Sequence, residues 1–189
     1  AVTAFTAKDL EREQINTAQD LNGRVPSLVI NPSSQGRNVE SPTIRGQGAT
    51  HSASPGVIIY YGEVPIPADS FSSAQGGPGK FFDLENLQFL KGPQGTLFGR
   101  NTTGGALLLE PHKPDPYFEA SIKGELGNFE GKGVEGDLNL PVVEDQLMVR
   151  VGAKYYEREG FTKDIVNGAN LDGKGYRTMR LGLMWKPVE

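Results

Sequence analysis

The densest glycine passage, Gly92-Pro93-Gln94-Gly95-Thr96-Leu97-Phe98-Gly99-Arg100, is the first place where chemistry could sit. A glycine-rich turn lets backbone N–H groups close around a phosphate. This one lacks the Gly-Lys-Ser/Thr ending that supplies a phosphate-binding lysine. Gly46-Gln47-Gly48-Ala49-Thr50-His51 lacks the third glycine of a dinucleotide fingerprint, and no long helix follows it. Neither run makes a nucleotide site. Serines are plentiful, but neither His51 nor His112 stands in a nucleophile–base setting, and Asp83 and Glu85 fit a turn cap. The chain has no cysteine, which excludes disulfides, thiolate metal sites and cysteine nucleophiles. A metal site built on two histidines would need carboxylates, and no stretch has ligand spacing. Asn101-Thr102-Thr103 matches a glycosylation acceptor, a pattern short enough to arise by chance. The expectation is no enzyme, no resident metal and no cofactor.

Charge points away from nucleic acid. Residues 1–116 carry nine bases and eleven acids, and residues 117–189 carry ten and twelve, so each part stands at −2. No basic face results. Glycine and proline together supply 38 of 189 residues, a turn-rich composition that favours strands over long helices. No apolar run approaches the ~20 residues of a membrane-spanning helix. The opening Ala1-Val2-Thr3-Ala4-Phe5 has neither the basic start nor the apolar core of a leader. The chain is then either cytosolic or an exported protein whose ends lie elsewhere. A mean hydropathy of −0.40 is compatible with a membrane β-barrel, because alternating strands average out.

The elements that would position any site change character along the chain. Thr6-Ala7-Lys8-Asp9 and Thr17-Ala18-Gln19-Asp20 each pair a capping hydroxyl with an acid three residues on. They predict two short helices, about 7–14 and 18–23, stopped by Gly23 and Pro26. Strands are expected at 27–31, 42–45, 57–62, 87–91 and 106–109, where β-branched, leucine and aromatic residues sit between Gly, Pro, Asn and Ser, with 27–31, 57–62 and 87–91 in one sheet. Residues 83–86 are expected to turn into the 87–91 strand, and 66–80 to form a Ser/Gly/Pro loop. Pro111, Pro114 and Pro116 mark a linker, which puts domain boundaries at 1–116 and 117–189.

Beyond Pro116 apolar and polar residues alternate. Ile122, Leu138, Val149, Leu181 and Trp185 fall on the greasy face of four strands of about ten residues. A tight turn near Asn128, a five-residue turn at 141–145 and a long loop at 158–174 connect them. Long and short connections at opposite ends fit a transmembrane barrel. A soluble antiparallel sheet with one face on a core alternates equally well. On pattern alone both stand.

Asp83-Leu84-Glu85-Asn86-Leu87-Gln88-Phe89-Leu90-Lys91-Gly92-Pro93-Gln94-Gly95-Thr96-Leu97-Phe98-Gly99-Arg100-Asn101-Thr102-Thr103-Gly104-Gly105-Ala106 resembles the hallmark block of the plug domain of TonB-dependent outer-membrane receptors. Three upstream pieces follow the family's order: Phe5–Leu10 with Asp20-Leu21 and Val25-Pro26, then Ile44-Arg45-Gly46, then Ile58–Pro65 ending in Gly62-Glu63-Val64-Pro65. The resemblance implies a mixed α/β plug over 1–116, followed by the first four strands of a barrel that closes with about 22 strands around it. It implies a fragment of an active transporter in the cell outer membrane, with the TonB box and most of the barrel outside these residues. Its implied partners are the inner-membrane TonB complex, outer-membrane lipid, and a scarce solute such as a ferric siderophore, haem, cobalamin or glycan. The rival expectation is a soluble or surface-attached β-rich ligand-binding module.

The resemblance also implies sites. Family basic residues on the Ile-Arg-Gly strand and before the Gly-Pro face acids of the barrel wall; here these are Arg45 and Lys91. Lysine offers a point charge where the usual arginine offers a fork. The alternative is two solvated surface charges. The family's apical loops correspond to 47–55 and 66–80, where His51, Ser52, Asp69 and Phe71 are candidates for ligand contact. The alternative there is a Ser/Gly loop that touches no ligand. For the glycines at 92, 95, 99, 104 and 105 a backbone role is expected ahead of ligand contact.

Overall fold

The computed structural model describes residues 2–32, 39–48, 54–68, 75–76 and 79–187. They divide into two compact units, Ala1–His112 and Lys113–Glu189.

The first unit opens with a strand. In β1 (Val2–Thr6), Phe5 meets the Phe89 ring edge-on, with centroids 6.3 Å apart. The expected elements begin only at residue 7 and overlook it. Thr6 ends the strand and caps α1 (Ala7–Arg12): its hydroxyl accepts from the Asp9 N–H at 3.2 Å, and the Asp9 carboxylate accepts from the Thr6 N–H at 3.1 Å. Hydrogen bonds from the Thr6 hydroxyl and then its N–H hold the Asp9 carboxyl below the usual range. The helix stops short of the expected residue 14. Gln14 takes φ 54°, and Ile15 N–H returns to Leu10 O at 2.8 Å, closing the end with Ile15 and Leu10 both buried. The second capping box starts only a 3-10 turn, Ala18–Leu21.

The remaining elements of this unit are β2 (Leu28–Pro32), β3 (Val39–Ile44), β4 (Val57–Tyr61), β5 (Val64–Pro65), β6 (Gln75–Gly76), β7 (Leu84–Lys91), α2 (Gly95–Phe98) and β8 (Gly105–Pro111). One sheet has the order β1-β7-β8-β4-β5, with β4 and β8 parallel and the other pairs antiparallel. The other has the order β2-β3-β6. Strand 27–31 was expected beside 57–62 and 87–91; it belongs to this second sheet, pairing with β3 from Leu28↔Ile44 onward. Nor are residues 84–86 a turn. Asp83 alone takes a left-handed φ of 48°, and β7 begins at Leu84 with a bulge before Asn86.

The main core lies on one face of the larger sheet, where Phe5, Val57, Ile59, Leu87, Phe89, Leu107 and Leu109 meet Leu10, Leu21, Leu28, Ile30 and Ile44. The opposite face buries Ile58, Tyr60, Ala106 and Leu108. Burial on both faces explains why β8 is apolar without alternation.

The second unit is an antiparallel meander of β9 (Glu119–Gly127), β10 (Gly131–Val143) and β11 (Leu147–Arg158). A two-rung hairpin, β12 (Thr162–Lys163) and β13 (Asn170–Leu171), precedes its last strand, β14 (Lys174–Trp185). The sheet is open. The expected turn at 141–145 is mostly strand: β10 runs on to Val143 with a register shift after Pro141, and the turn is 144–146. The register puts the alternating apolar residues in rows, Leu138 beside Ala120 and Val151, Val151 beside Leu181, Leu147 beside Trp185. Ile122, Leu181 and Trp185 are 81%, 70% and 69% exposed, and Leu138 and Val149 partly so; all five share this face.

The other face is polar and paired within itself. Arg150, buried, reaches Asp137 at 3.0 Å and Glu119 at 3.5 Å, and Lys154 meets Glu135 at 2.5 Å. The linker crosses it. Asn139, fully buried, donates to Asp115 O at 3.0 Å and Tyr117 O at 2.5 Å and accepts from Asp115 N–H at 3.3 Å. A Cβ on Gly182 would touch the Pro114 ring at 3.2 Å. We expect Asn139→Ala to release residues 113–118. Losing these bonds costs about 1–3 kcal/mol, so the Asp115 amide, which donates to Asn139, should exchange its hydrogen about tenfold faster or more in the native protein.

Candidate functional site

The glycine-rich passage is a closed loop built on its own backbone. Gly92 N–H donates to Gly104 O at 2.9 Å, Gln94 N–H to Thr102 O at 2.9 Å, and Gly104 N–H to Gly56 O at 2.8 Å. Thr102, buried, gives its hydroxyl to Gly99 O at 2.8 Å. Inside the loop α2 turns once, and Phe98 packs on Tyr60 with ring centroids 5.2 Å apart while the Tyr60 hydroxyl donates to Phe98 O at 2.9 Å. Burial raises the Tyr60 phenol above its ordinary value, so it stays a donor.

Where the loop enters β8 there is no room for a side chain. A Cβ on Gly104 would lie 2.8 Å from Gln47 Cβ, and one on Gly105 2.1 Å from Leu90 O and 2.9 Å from Ile44 Cδ1. Gly105 also takes φ 146°. The partner in this contact is the tight turn after β3. Ile44 and Gln47 exchange both backbone hydrogen bonds, at 2.8 and 2.9 Å, around Arg45 and Gly46, which take φ 53° and 74°. A turn with two left-handed residues matches the strand twist and asks for glycine. Arg45 carries a side chain there, which only a fixed environment sustains.

The close approach brings Arg45 and Lys91 to one end of the unit, since Lys91 pairs with Gly105, against which Ile44 packs. Arg45 is exposed and Lys91 half-exposed, and neither has an ion pair among the described residues. His51, Ser52, Asp69 and Phe71 lie outside the described residues. Among the described residues no three His, Cys, Asp or Glu side chains converge on a metal position.

Two buried polar residues escape sequence reasoning. Gln75, fully buried, uses its side-chain amide as a substitute strand: it accepts from Ile59 N–H at 2.8 Å and donates to Val57 O at 2.6 Å, on the stretch of β4 edge that β5 leaves open. Nothing in the spacing around Gln75 signals this. Glu40, 3% exposed, stands opposite it on β3. Here a signal exists, because Glu40 shares the inward register of Pro42 and Ile44.

A family model described as TonB-dependent Receptor Plug Domain matches residues 1–106. The chain is 24% identical over 148 residues to the pesticin receptor of Yersinia enterocolitica, covering 77% of this chain and 21% of that protein. It is 30% identical over 89 residues to the metal-pseudopaline receptor CntO of Pseudomonas aeruginosa, covering 47% of this chain and 12% of the relative. Among solved structures it is similar to the ferric yersiniabactin uptake receptor FyuA of Yersinia pestis, with TM-score 0.82 and 22% identity over 97% of this chain and 28% of that one. It is also similar to the siderophore receptor PirA of Acinetobacter baumannii, with TM-score 0.73 and 20% identity over 100% and 29%. The chain thus spans about a fifth of the pesticin receptor and under a third of either structure.

The glycine contact generates a paired test. Gly105→Ala should cost about 2–4 kcal/mol through strain and overlap, read as lost hydrogen-exchange protection across β7 and β8. Gly95→Ala, in open space in the same loop, should stay within about 0.5 kcal/mol.

Proposed function

Since the chain belongs to the TonB-dependent receptor plug-domain family, we propose that it is the gate and the first wall segment of an outer-membrane active transporter for a ferric siderophore or related metal chelate. The observation that carries this is the joint match: the plug family covers 1–106, and the likeness to FyuA extends over the four strands beyond it. CntO is a metal-pseudopaline receptor, FyuA a ferric yersiniabactin uptake receptor and PirA a siderophore receptor, which supports that substrate class. The intact protein binds its solute outside the cell, and energy from the inner-membrane TonB complex rearranges the plug so that the solute passes.

The wall assignment has physical support. Ten residue steps separate the Leu147–Trp185 pair from the Glu157–Gly175 pair. At about 3.3 Å per residue and a tilt of about 40° they span about 25 Å, the height of an outer-membrane apolar band. One border of the band carries Trp185. The other carries Tyr155, under the Arg177 guanidinium, and the Lys132–Glu157 ion pair at 2.8 Å. A soluble module would instead leave Ile122, Met179, Leu181 and Trp185 in water.

On this reading Arg45 and Lys91 are the plug's half of a lock on the wall. Of the first strands' polar-face acids, Glu119, Asp137 and Glu135 already hold Arg150 and Lys154, and we place the lock's carboxylates on later strands. His51, Ser52, Asp69 and Phe71 are the proposed solute contacts.

The test is uptake of radiolabelled ferric siderophores by cells carrying or lacking the full-length gene. Loss of uptake of one chelate on deletion is expected; unchanged uptake of every chelate refutes the function. In the full-length protein, Arg45→Ala should raise pore conductance in planar bilayers, and unchanged conductance and uptake would sink the lock. His51→Ala with Phe71→Ala should weaken chelate binding at least tenfold, about 1.4 kcal/mol.

A further inference from the structure

Glu40 is a carboxylic acid sealed into a seam. It lies on β3 between Pro32 of β2 and Gln75 of β6, 3% exposed, and its Oε2 has no hydrogen-bond partner among the described residues. Residues directly opposite in an antiparallel pair put their side chains on the same face. Glu40 therefore points the same way as Gln75, toward the β4 edge that the Gln75 amide caps through Val57 O and Ile59 N–H. That amide and the short β3–β6 pairing, Val39↔Gly76 and Glu40↔Gln75, tie β6 to both sheets of the unit.

No described neighbour offers Glu40 a countercharge. β2, β6 and the rest of β3 contain no Asp, Glu, Lys, Arg or His, and β4 has only the tyrosines Tyr60 and Tyr61. Tyr60 belongs to the opposite face of its sheet. Asp20, on the 3-10 turn packed against β2, accepts from Asn16 N–H and Thr17 N–H at 3.0 and 2.8 Å. An ionised Glu40 in this seam would stand desolvated and unpaired, which costs far more than burying the neutral acid.

We propose that Glu40 is a proton-operated catch: protonated, it stays in the seam and β6 remains fastened to the β4 edge through Gln75; ionised, it leaves the seam and the Gln75 bridge opens. The catch belongs to the plug unit itself and does not depend on which solute is carried. Burial raises the Glu40 carboxyl from its ordinary 4.5 to about 7. The closed seam therefore holds a proton that the open one gives up, so closure is fully favoured below pH 4.5. It weakens as the pH rises through 7 and changes no further above that.

The experiment is hydrogen exchange on the full-length receptor between pH 5 and 8.5, corrected for intrinsic exchange rates and read at the Ile59 amide and β6. In the wild type, protection should fall at least tenfold between pH 5 and 7.5 and then level off. Glu40→Gln, which keeps the shape and removes the proton, should be protected equally at every pH. Protection in the wild type that does not vary with pH overturns the proposal, as does Glu40→Gln retaining the wild-type pH dependence. If Glu40→Gln does not fold, isotope-edited infrared spectroscopy of the wild type decides. A protonated carboxyl band that titrates away near neutrality supports the catch, and a carboxylate already ionised at pH 5 overturns it.

Discussion

The plug unit depends on one close approach, at Gly104 and Gly105. There the backbone entering β8 passes against Leu90 O, Ile44 and Gln47 at distances that exclude any Cβ. That contact registers β7 with β8, seats the Arg45–Gly46 turn, and closes the 92–104 loop through the Gly92–Gly104 hydrogen bond. Gly104 and Gly105 of the hallmark block are thus a packing device. They let a loop with an otherwise exposed one-turn helix be held rigidly by backbone bonds and the Tyr60–Phe98 contact.

The two units solve burial in different ways. β8 is apolar on both faces because both are covered, by the main core and by the smaller cluster around Ile58 and Tyr60. The second unit's strands are covered on neither in the usual sense. Their polar face neutralises its own charges across strands, Arg150 with Asp137 and Lys154 with Glu135, and binds the linker through Asn139. Their apolar face is a continuous exposed sheet surface. Alternation of this kind suits a wall with lipid on one side and polar contents on the other.

Some of this was legible in the residues. Period-two alternation made all four strands of the second unit readable, since each has one consistent face. The two capping boxes were visible as Thr-x-x-Asp, but how far each helix runs was not. Gln14 adopting a left-handed φ ends α1, and that depends on Leu10 and Ile15 being buried together. β1 was hidden because Val2-Thr3-Ala4-Phe5-Thr6 becomes a strand only by pairing with β7, at least eighty residues away in sequence. Residues 83–86 looked like a turn because Asp83 and Asn86 are turn formers; from Leu84 on, pairing with β8 overrode that preference. Of the candidate site, Arg45 and Lys91 came from family resemblance, and the structure adds that one glycine contact brings them to the same end. Gln75 as a substitute strand was invisible, because its role is set by an edge that only the fold creates.

The proposed function requires that residues 117–189 begin a membrane wall whose strands run from one side of the outer membrane to the other. Asn167 and Asp145 lie in connections at opposite ends of β11, and these 189 residues contain no cysteine to interfere. The most direct measurement is labelling of Asn167→Cys and Asp145→Cys in the full-length protein on intact cells with a membrane-impermeant maleimide. The account predicts that the Asn167 position labels on intact cells and the Asp145 position only after the outer membrane is permeabilised. Equal labelling of both on intact cells, or a protein found only in the soluble fraction, would contradict it.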